Sequence, residues 1–296
     1  MPPLDARNEA VVILVGLLVL LTLTEMWFSY RENRHYYEKR DTLTNIYLTT
    51  LTFFVNLLVN GTAFFLLSYA YQYRFVQISN AFVYWFVLVV AQDFLYWVLH
   101  YTGHYCRMFW AMHVTHHSSE HFNFSTGFRS TVFEPLYRTF FYMPLALFGF
   151  NAVDILYAYL LTQLYGNLVH TQYHIPLPKW YGYIFVTPAH HRVHHASNIP
   201  YLDKNMGMMF IVWDRLFGTF HDEDPAEPVK YGLTHQPEDL GPVNILFHEW
   251  KALLRDVKHA PGFKNKLLYF INPPGWSHDG STQTARVMQK EYRSGK

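Results

Sequence analysis

Apolar runs separated by short polar linkers dominate the first 170 residues. Residues 10–28 (AVVILVGLLVLLTLTEMWF) have about the 20-residue length a helix needs to cross a bilayer. They lack the basic start and small-residue cleavage site of a secretory signal, which predicts a retained transmembrane helix. Similar apolar runs cover 46–71 and 81–101. Between 138 and 170 the pattern changes to FFYMPLALFGF followed by NAVDILYAYLLTQLYGNLVH, interrupted by Pro144, Gly149 and Asn151. The first of these pieces is too short to span alone, so a re-entrant helical hairpin or two tilted helices are expected. Past Ile175 there is no further apolar run of spanning length, and the C-terminal part is expected to be mostly extramembrane. The periodicity predicts an all-α chain with about four membrane helices. No tandem repeat or linker divides it, so residues 1–296 read as a single domain, with a chemical core at about 90–220 and a tail over 221–296.

Composition agrees. The chain is 51% hydrophobic and 15% charged, where a soluble domain carries about 25% charged residues. A net charge of +1, with no basic stripe, argues against a nucleic-acid partner. Cys106 is the single cysteine, which excludes an intrachain disulfide and any cysteine-based zinc or iron–sulfur site. Basic residues are unevenly placed: the linker RENRHYYEKR holds four, YQYRFVQISN one, and the chain from Pro176 onward fourteen of 23. The positive-inside rule then places 31–41, 102–138 and 171–296 together on the cytoplasmic side of a multi-pass membrane protein.

The compositional outlier is histidine, with 18 residues. His100 and His104 form H-x3-H. His113, His116 and His117 form H-x2-H-H. His170 and His174 repeat the first spacing, and His191, His194 and His195 the second. Helical positions i, i+3 and i+4 share a face, so each group aims its imidazoles at one point. All four groups fall on the predicted cytoplasmic side. Ten neutral nitrogen donors are enough for two metal ions without any carboxylate. Imidazole accepts zinc, copper, iron or nickel, so ligand type alone leaves the metal open. His121, His190, His221, His235, His248, His259 and His278 lie outside the groups and are expected to be surface or supporting residues.

The blocks DFLYWVLHYTGH (93–104), WAMHVTHHSSEHFNFSTGFR (110–129), TPAHHRVHHASN (187–198) and YLDKNMGMMFIVWDRLFGTF (201–220) resemble the sterol desaturase / fatty acid hydroxylase superfamily. Within it they are most similar to alkylglycerol monooxygenase-like bacterial members. The resemblance covers about residues 20 to 235. It implies a four-helix membrane scaffold under a cytoplasmic helical cap, two iron ions (zinc can substitute), and O2-dependent attack on an unactivated C–H bond of a membrane lipid. By analogy with fatty acid hydroxylases, one ion takes His100, His113, His116, His170 and His191. The other takes His104, His117, His174, His194 and His195. His174 stands where the alkylglycerol monooxygenase-like members carry an apolar residue.

Metal-bound imidazoles commonly donate their second N–H to a carboxylate. Asp93, two helical turns before His100, is one candidate; a carboxylate in a membrane segment is costly and points to function. Asp203 and Glu134 are two others. No haem, ferredoxin or nucleotide-binding signature accompanies the histidines, so an external electron donor is expected: a pterin, or a ferredoxin or cytochrome b5-type partner. Rival readings are a zinc membrane enzyme without redox chemistry, a bis-histidine haem protein, and a metal carrier or sensor. Clustering of the histidines at helix ends opposes the haem reading. Asp93 and Asp154, the only acids placed along the membrane path, are few for a carrier.

Overall fold

The computed structural model describes residues 4–129 and 131–295. Three long helices form the frame: α1 (Leu4–Arg31), α2 (Lys39–Gln72) and α3 (Ala81–Tyr105). Among the described residues, these are the helices long and apolar enough to cross a membrane. Their outer faces carry apolar side chains such as Leu58, 80% exposed, and Phe82, 78% exposed. Apolar side chains exposed on so many turns call for lipid rather than water around them.

The fourth position is filled by the hairpin α6 (Arg138–Leu147) and α7 (Ala152–Leu168), of 10 and 17 residues. The expected break is present, but Pro144 does not make it: α6 runs through that residue, and the chain reverses at Gly149. Gly149 has φ +95, and a Cβ there would stand 2.2 Å from the Val76 carbonyl oxygen, so only glycine fits. Asn151 caps α7 by accepting from the Asp154 N–H at 3.0 Å. The Tyr84 hydroxyl donates to Asp154 at 2.9 Å and ties the turn to α3. Leu67, Leu88, Leu145, Phe150 and Ile155 close a core between α2, α3 and the hairpin.

Polar fastenings gather at the opposite end of the bundle. Arg129, 1% exposed, donates to Asp41 and Asn45 of α2 at 2.9 and 2.8 Å, and to the Thr115 carbonyl and Ser118 hydroxyl at 2.9 and 2.8 Å. These partners satisfy a guanidinium whose burial alone is costly. Buried Glu25 accepts from the Phe124 N–H at 2.9 Å and from the Tyr37 and Thr171 hydroxyls, joining α1 to two loops. The 32–38 linker thus shares one end of the bundle with the segments around 119–129 and 171.

At that end lie α4 (Arg107–His117), the single turn α5 (Phe124–Gly127), α8 (Lys179–Ile184), α9 (Pro188–His194) and α10 (Val212–Phe217). Three more helices, α11 (Asn244–His259), α12 (Gly262–Ile271) and α13 (Ala285–Arg293), are docked on them. Arg107 of α4 pairs with Glu249 and Asp256 of α11, each at 2.8 Å. Gln289 of α13 donates to the Leu202 carbonyl at 2.7 Å.

Candidate metal centre

Each histidine owes its position to a local feature of the chain. His100 and His104 occupy the last turns of α3. Cys106, extended at φ −131, then breaks the helix so that α4 returns His113, His116 and His117 toward them. α9 starts at Thr187, whose hydroxyl accepts from the His190 N–H at 3.3 Å while His190 Nδ1 accepts from the Thr187 N–H at 3.3 Å. Pro188 fills the first helical position, where no N–H is needed. That reciprocal cap gives His190 its role outside the four groups and starts the turn carrying His191, His194 and His195.

Nine of the ten histidines singled out in the sequence converge, in two groups. His100, His104, His113, His117 and His194 form one; His116, His170, His191 and His195 form the other. Within each group the ring nitrogens offered lie within 4.8 Å of one another. This division differs from the one the resemblance implied, since His100 and His104 share a group and His194 and His195 are separated.

His174 is not with them. α7 ends at Leu168, and the His170 and Thr171 N–H groups close short turns onto Asn167 and Val169. Pro176 and Pro178 follow, so His170 and His174 never share a helical face. His174 is exposed and lines a surface depression with Lys179, His190 and Arg192.

Tautomers follow from the hydrogen bonds. A backbone carbonyl only accepts, so a ring nitrogen facing one must carry the proton. Nδ1 of His100 donates to the Met206 carbonyl at 2.8 Å, that of His116 to Arg129 at 2.8 Å, that of His170 to Gly166 at 2.6 Å, and that of His194 to Lys204 at 2.9 Å. His104 Nδ1 lies 3.1 Å from Asp203 Oδ1. With Nδ1 carrying the single ring proton, each of these rings presents a bare Nε2 lone pair. His104 Nε2, His194 Nε2 and His191 Nδ1 are buried with no partner in the protein, a state rare unless an ion or water completes it.

The facing Nε2 atoms make the same point. His113 Nε2 stands 3.1 Å from both His100 and His117, and His170 Nε2 stands 2.9 and 3.2 Å from His191 and His195. Two imidazoles bound to one ion at about 2.0–2.1 Å and at right angles stand about 3 Å apart. The donor sets therefore fit two metal ions. Burial pushes His113, His117, His191, His194 and His195 well below the ordinary imidazole range, with neighbouring imidazoles adding to it, and holds His116 down to about 4. All six are neutral, as metal ligation requires.

The three carboxylates singled out in the sequence take different places. Asp203 meets His104 as described. Asp93 does not reach a histidine. It accepts from the Met209 and Phe210 N–H groups at 2.9 and 3.2 Å and from Trp213 at 2.9 Å, so it clamps the loop before α10. Glu134 accepts from the Thr131 and Tyr159 hydroxyls at 3.0 and 3.3 Å, on the wall of a cavity that His113, His116 and His170 also line. One acid was missed. Asp214 accepts from the Met206 and Gly207 N–H groups, each at 2.7 Å, and from Trp97 at 3.2 Å, and so presents the Met206 carbonyl to His100. Its signal was an acid enclosed in the apolar run FIVWDRLF. Carbonyl acceptors, in contrast, leave no mark in a sequence.

Two cavities approach the histidines. One, of about 260 Å³, lies among α2, α3, α4 and the hairpin and reaches His113, His116 and His170. The other, of about 610 Å³, lies under α11 and α13 and reaches His104, His117 and His194.

Residues 85–219, the stretch holding all four histidine groups, match the family model described as fatty acid hydroxylase. Together with the relatives below, this match supports the sterol desaturase / fatty acid hydroxylase superfamily for this segment. More particularly, the chain is similar to alkylglycerol monooxygenase of Homo sapiens, 38% identical over 192 residues that make up 65% of this chain and 42% of that protein. It is similar to the Caenorhabditis elegans alkylglycerol monooxygenase, at 33% over 201 residues, 65% of this chain and 39% of that one. Ornithine lipid hydroxylase OlsE of Rhizobium tropici is 30% identical over 154 residues, 50% of this chain and 44% of that protein. The chain thus spans less than half the length of these relatives. No solved structure matches it.

Proposed function

We propose that this chain is an O2-dependent oxygenase that hydroxylates an unactivated C–H bond of a membrane lipid, using two iron ions held by the nine converging histidines. The observation that carries this reading is the pair of buried clusters of bare imidazole nitrogens bordering a cavity among membrane helices. Two bound irons supply O2 activation, with electrons from a separate donor, a reduced pterin or a ferredoxin or cytochrome b5-type protein. The chain's own residues hold and orient. Met206, Lys204, Arg129 and Gly166 fix the imidazole tautomers through their carbonyls, and Asp203 adds charge to His104.

The lipid enters from the bundle side into the smaller cavity. Glu134, Arg138, Tyr159 and Asn167 line it, and the buried Thr52 hydroxyl and Asn167 side-chain oxygen there lack protein partners. Such a lining suits a polar lipid better than a plain hydrocarbon. The names of the relatives favour a glycerol-ether or ornithine lipid. The larger cavity, on the opposite side of the histidines, is open to a small reductant. We place this cavity and the cap of α4 and α8–α13 on the cytoplasmic face, and treat the chain as one domain.

The test is lipid analysis of iron-loaded protein in bilayers, with and without O2. The expected product is a lipid 16 mass units heavier (the mass of one oxygen atom), formed only with O2 and reductant. A product two units lighter means desaturation instead. Turnover of the zinc-loaded protein without O2 sinks the oxygenase reading.

A further inference from the structure

Past the hairpin the sequence runs IPLPKWYGYI, where no spanning helix is possible, and yet its apolar side chains remain uncovered. Trp180 is 61% and Tyr183 64% exposed, and Ile175, Leu177 and Ile184 are exposed as well. Across from them α10 presents Leu216, 68% exposed, and Phe217, 56% exposed. The two elements form one unit. Arg215 donates to the Gly182 carbonyl at 3.1 Å, and the Ile211 N–H donates to Ile184 at 3.0 Å. The Phe185 and Phe210 rings stand 5.5 Å apart.

Position in the fold says what covers this face. Phe94, on α3, packs on Trp213 at 5.0 Å, and Trp97 stacks on Phe217 at 4.7 Å. Phe86, Val90, Phe94, Leu216 and Phe217 line one shallow, almost wholly apolar groove. Its floor is the outward flank of α3, which lies against acyl chains if α3 spans the bilayer. Lipid touching Phe86 is therefore continuous with lipid touching Leu216. Charge agrees: the charged residues of 175–186 and 206–218 are Lys179, Arg215 and Asp214, and Asp214 is fully buried. The exposed charge is basic Lys179, with Arg215 half-buried over the Tyr183 and Phe220 rings, and a basic residue set beside Trp and Tyr is the composition of a bilayer interface.

We propose that residues 175–184 and α10 form a collar that beds into the headgroup–acyl boundary of the bilayer α3 crosses, at the metal-bearing end of the bundle. Interfacial segments sink about 5–10 Å into that boundary. α9 is only four residues beyond α8, so the collar sets the histidines at the level of the leaflet, where an acyl chain reaches them without passing through water.

The test uses the full chain in phosphatidylcholine/phosphatidylglycerol nanodiscs on a Cys106→Ser background, with nitroxide labels at Tyr183→Cys and, separately, Leu216→Cys. Phe82→Cys on the outer face of α3 and Lys251→Cys on α11 are the lipid and water references. Collision with O2, relative to a water-soluble nickel chelate, is expected to match the Phe82 label at both collar positions and to exceed the Lys251 label severalfold. Collar labels that behave like Lys251 overturn the proposal. Labels shielded from both reagents overturn it too, because that pattern marks a protein partner or a second copy.

Discussion

His174→Ala and His194→Ala separate ligand from bystander at the scale of single residues. His194 presents a buried Nε2 with no partner inside a group of five rings, whereas His174 is exposed outside both groups. Loss of His194 is expected to lower bound metal and abolish turnover, while His174→Ala keeps both. Metal per chain by plasma emission spectroscopy, read beside turnover, checks this. If His174→Ala loses one equivalent of metal, the segment after His170 must refold on loading and the nine-histidine reading fails. Asp203→Asn is a graded case. The amide oxygen still accepts from His104 Nδ1 but brings no charge, and losses of such supporting groups run about 10–100-fold in metal affinity or activity. Metal titration should find that range; wild-type affinity would remove Asp203 from the site.

At the scale of elements, the hairpin and the loop before α10 decide how well the histidines are aimed. Gly149→Ala forces a Cβ onto the Val76 carbonyl at a left-handed backbone position, and such strain costs about 1–3 kcal/mol. The expected result is a lowered thermal midpoint in detergent, with metal content unchanged in the protein that remains folded. An unchanged midpoint would mean that the turn relaxes freely. Elements of this kind were legible where the signal was apolar length or a backbone breaker: the three long helices and the two-piece hairpin follow from runs of Leu, Val and Phe, and from Gly149 with Asn151. The H-x3-H of His170 and His174 has helical spacing without a helix to carry it, since α7 ends at Leu168 and Pro176 and Pro178 favour an extended chain beyond. Asp93 stands out in the sequence as an unusual acid, but its partners are Met209, Phe210 and Trp213 rather than a histidine. The i to i+7 spacing to His100 describes a helix face, whereas the carboxylate is claimed by N–H groups more than a hundred residues away. Periodicity carries no information about contacts of that range.

For the whole molecule the question is which end of the bundle faces which compartment. The fold itself sorts the linkers. Residues 32–38 are joined to the 119–129 segment by the Asn123 side chain, which donates to the Tyr36 carbonyl at 2.6 Å. The linker after α2 is held at the other end, where the Phe75 N–H donates to the Leu147 carbonyl at 3.0 Å. The basic residues sort the same way, four in 31–40 and one in 71–80, and by the positive-inside rule this asymmetry is the ground on which we propose a cytoplasmic metal-bearing end. Reporter fusions after Ser79 and after Arg293 should therefore report opposite compartments, with the second in the cytoplasm. If both report the same side, α3 does not span, and the lipid-lined flank of α3, the collar and the entry of substrate from the bundle fall together. If the sides are opposite but reversed, the histidine clusters and their cavities keep their geometry, and only the compartment that supplies the reductant changes.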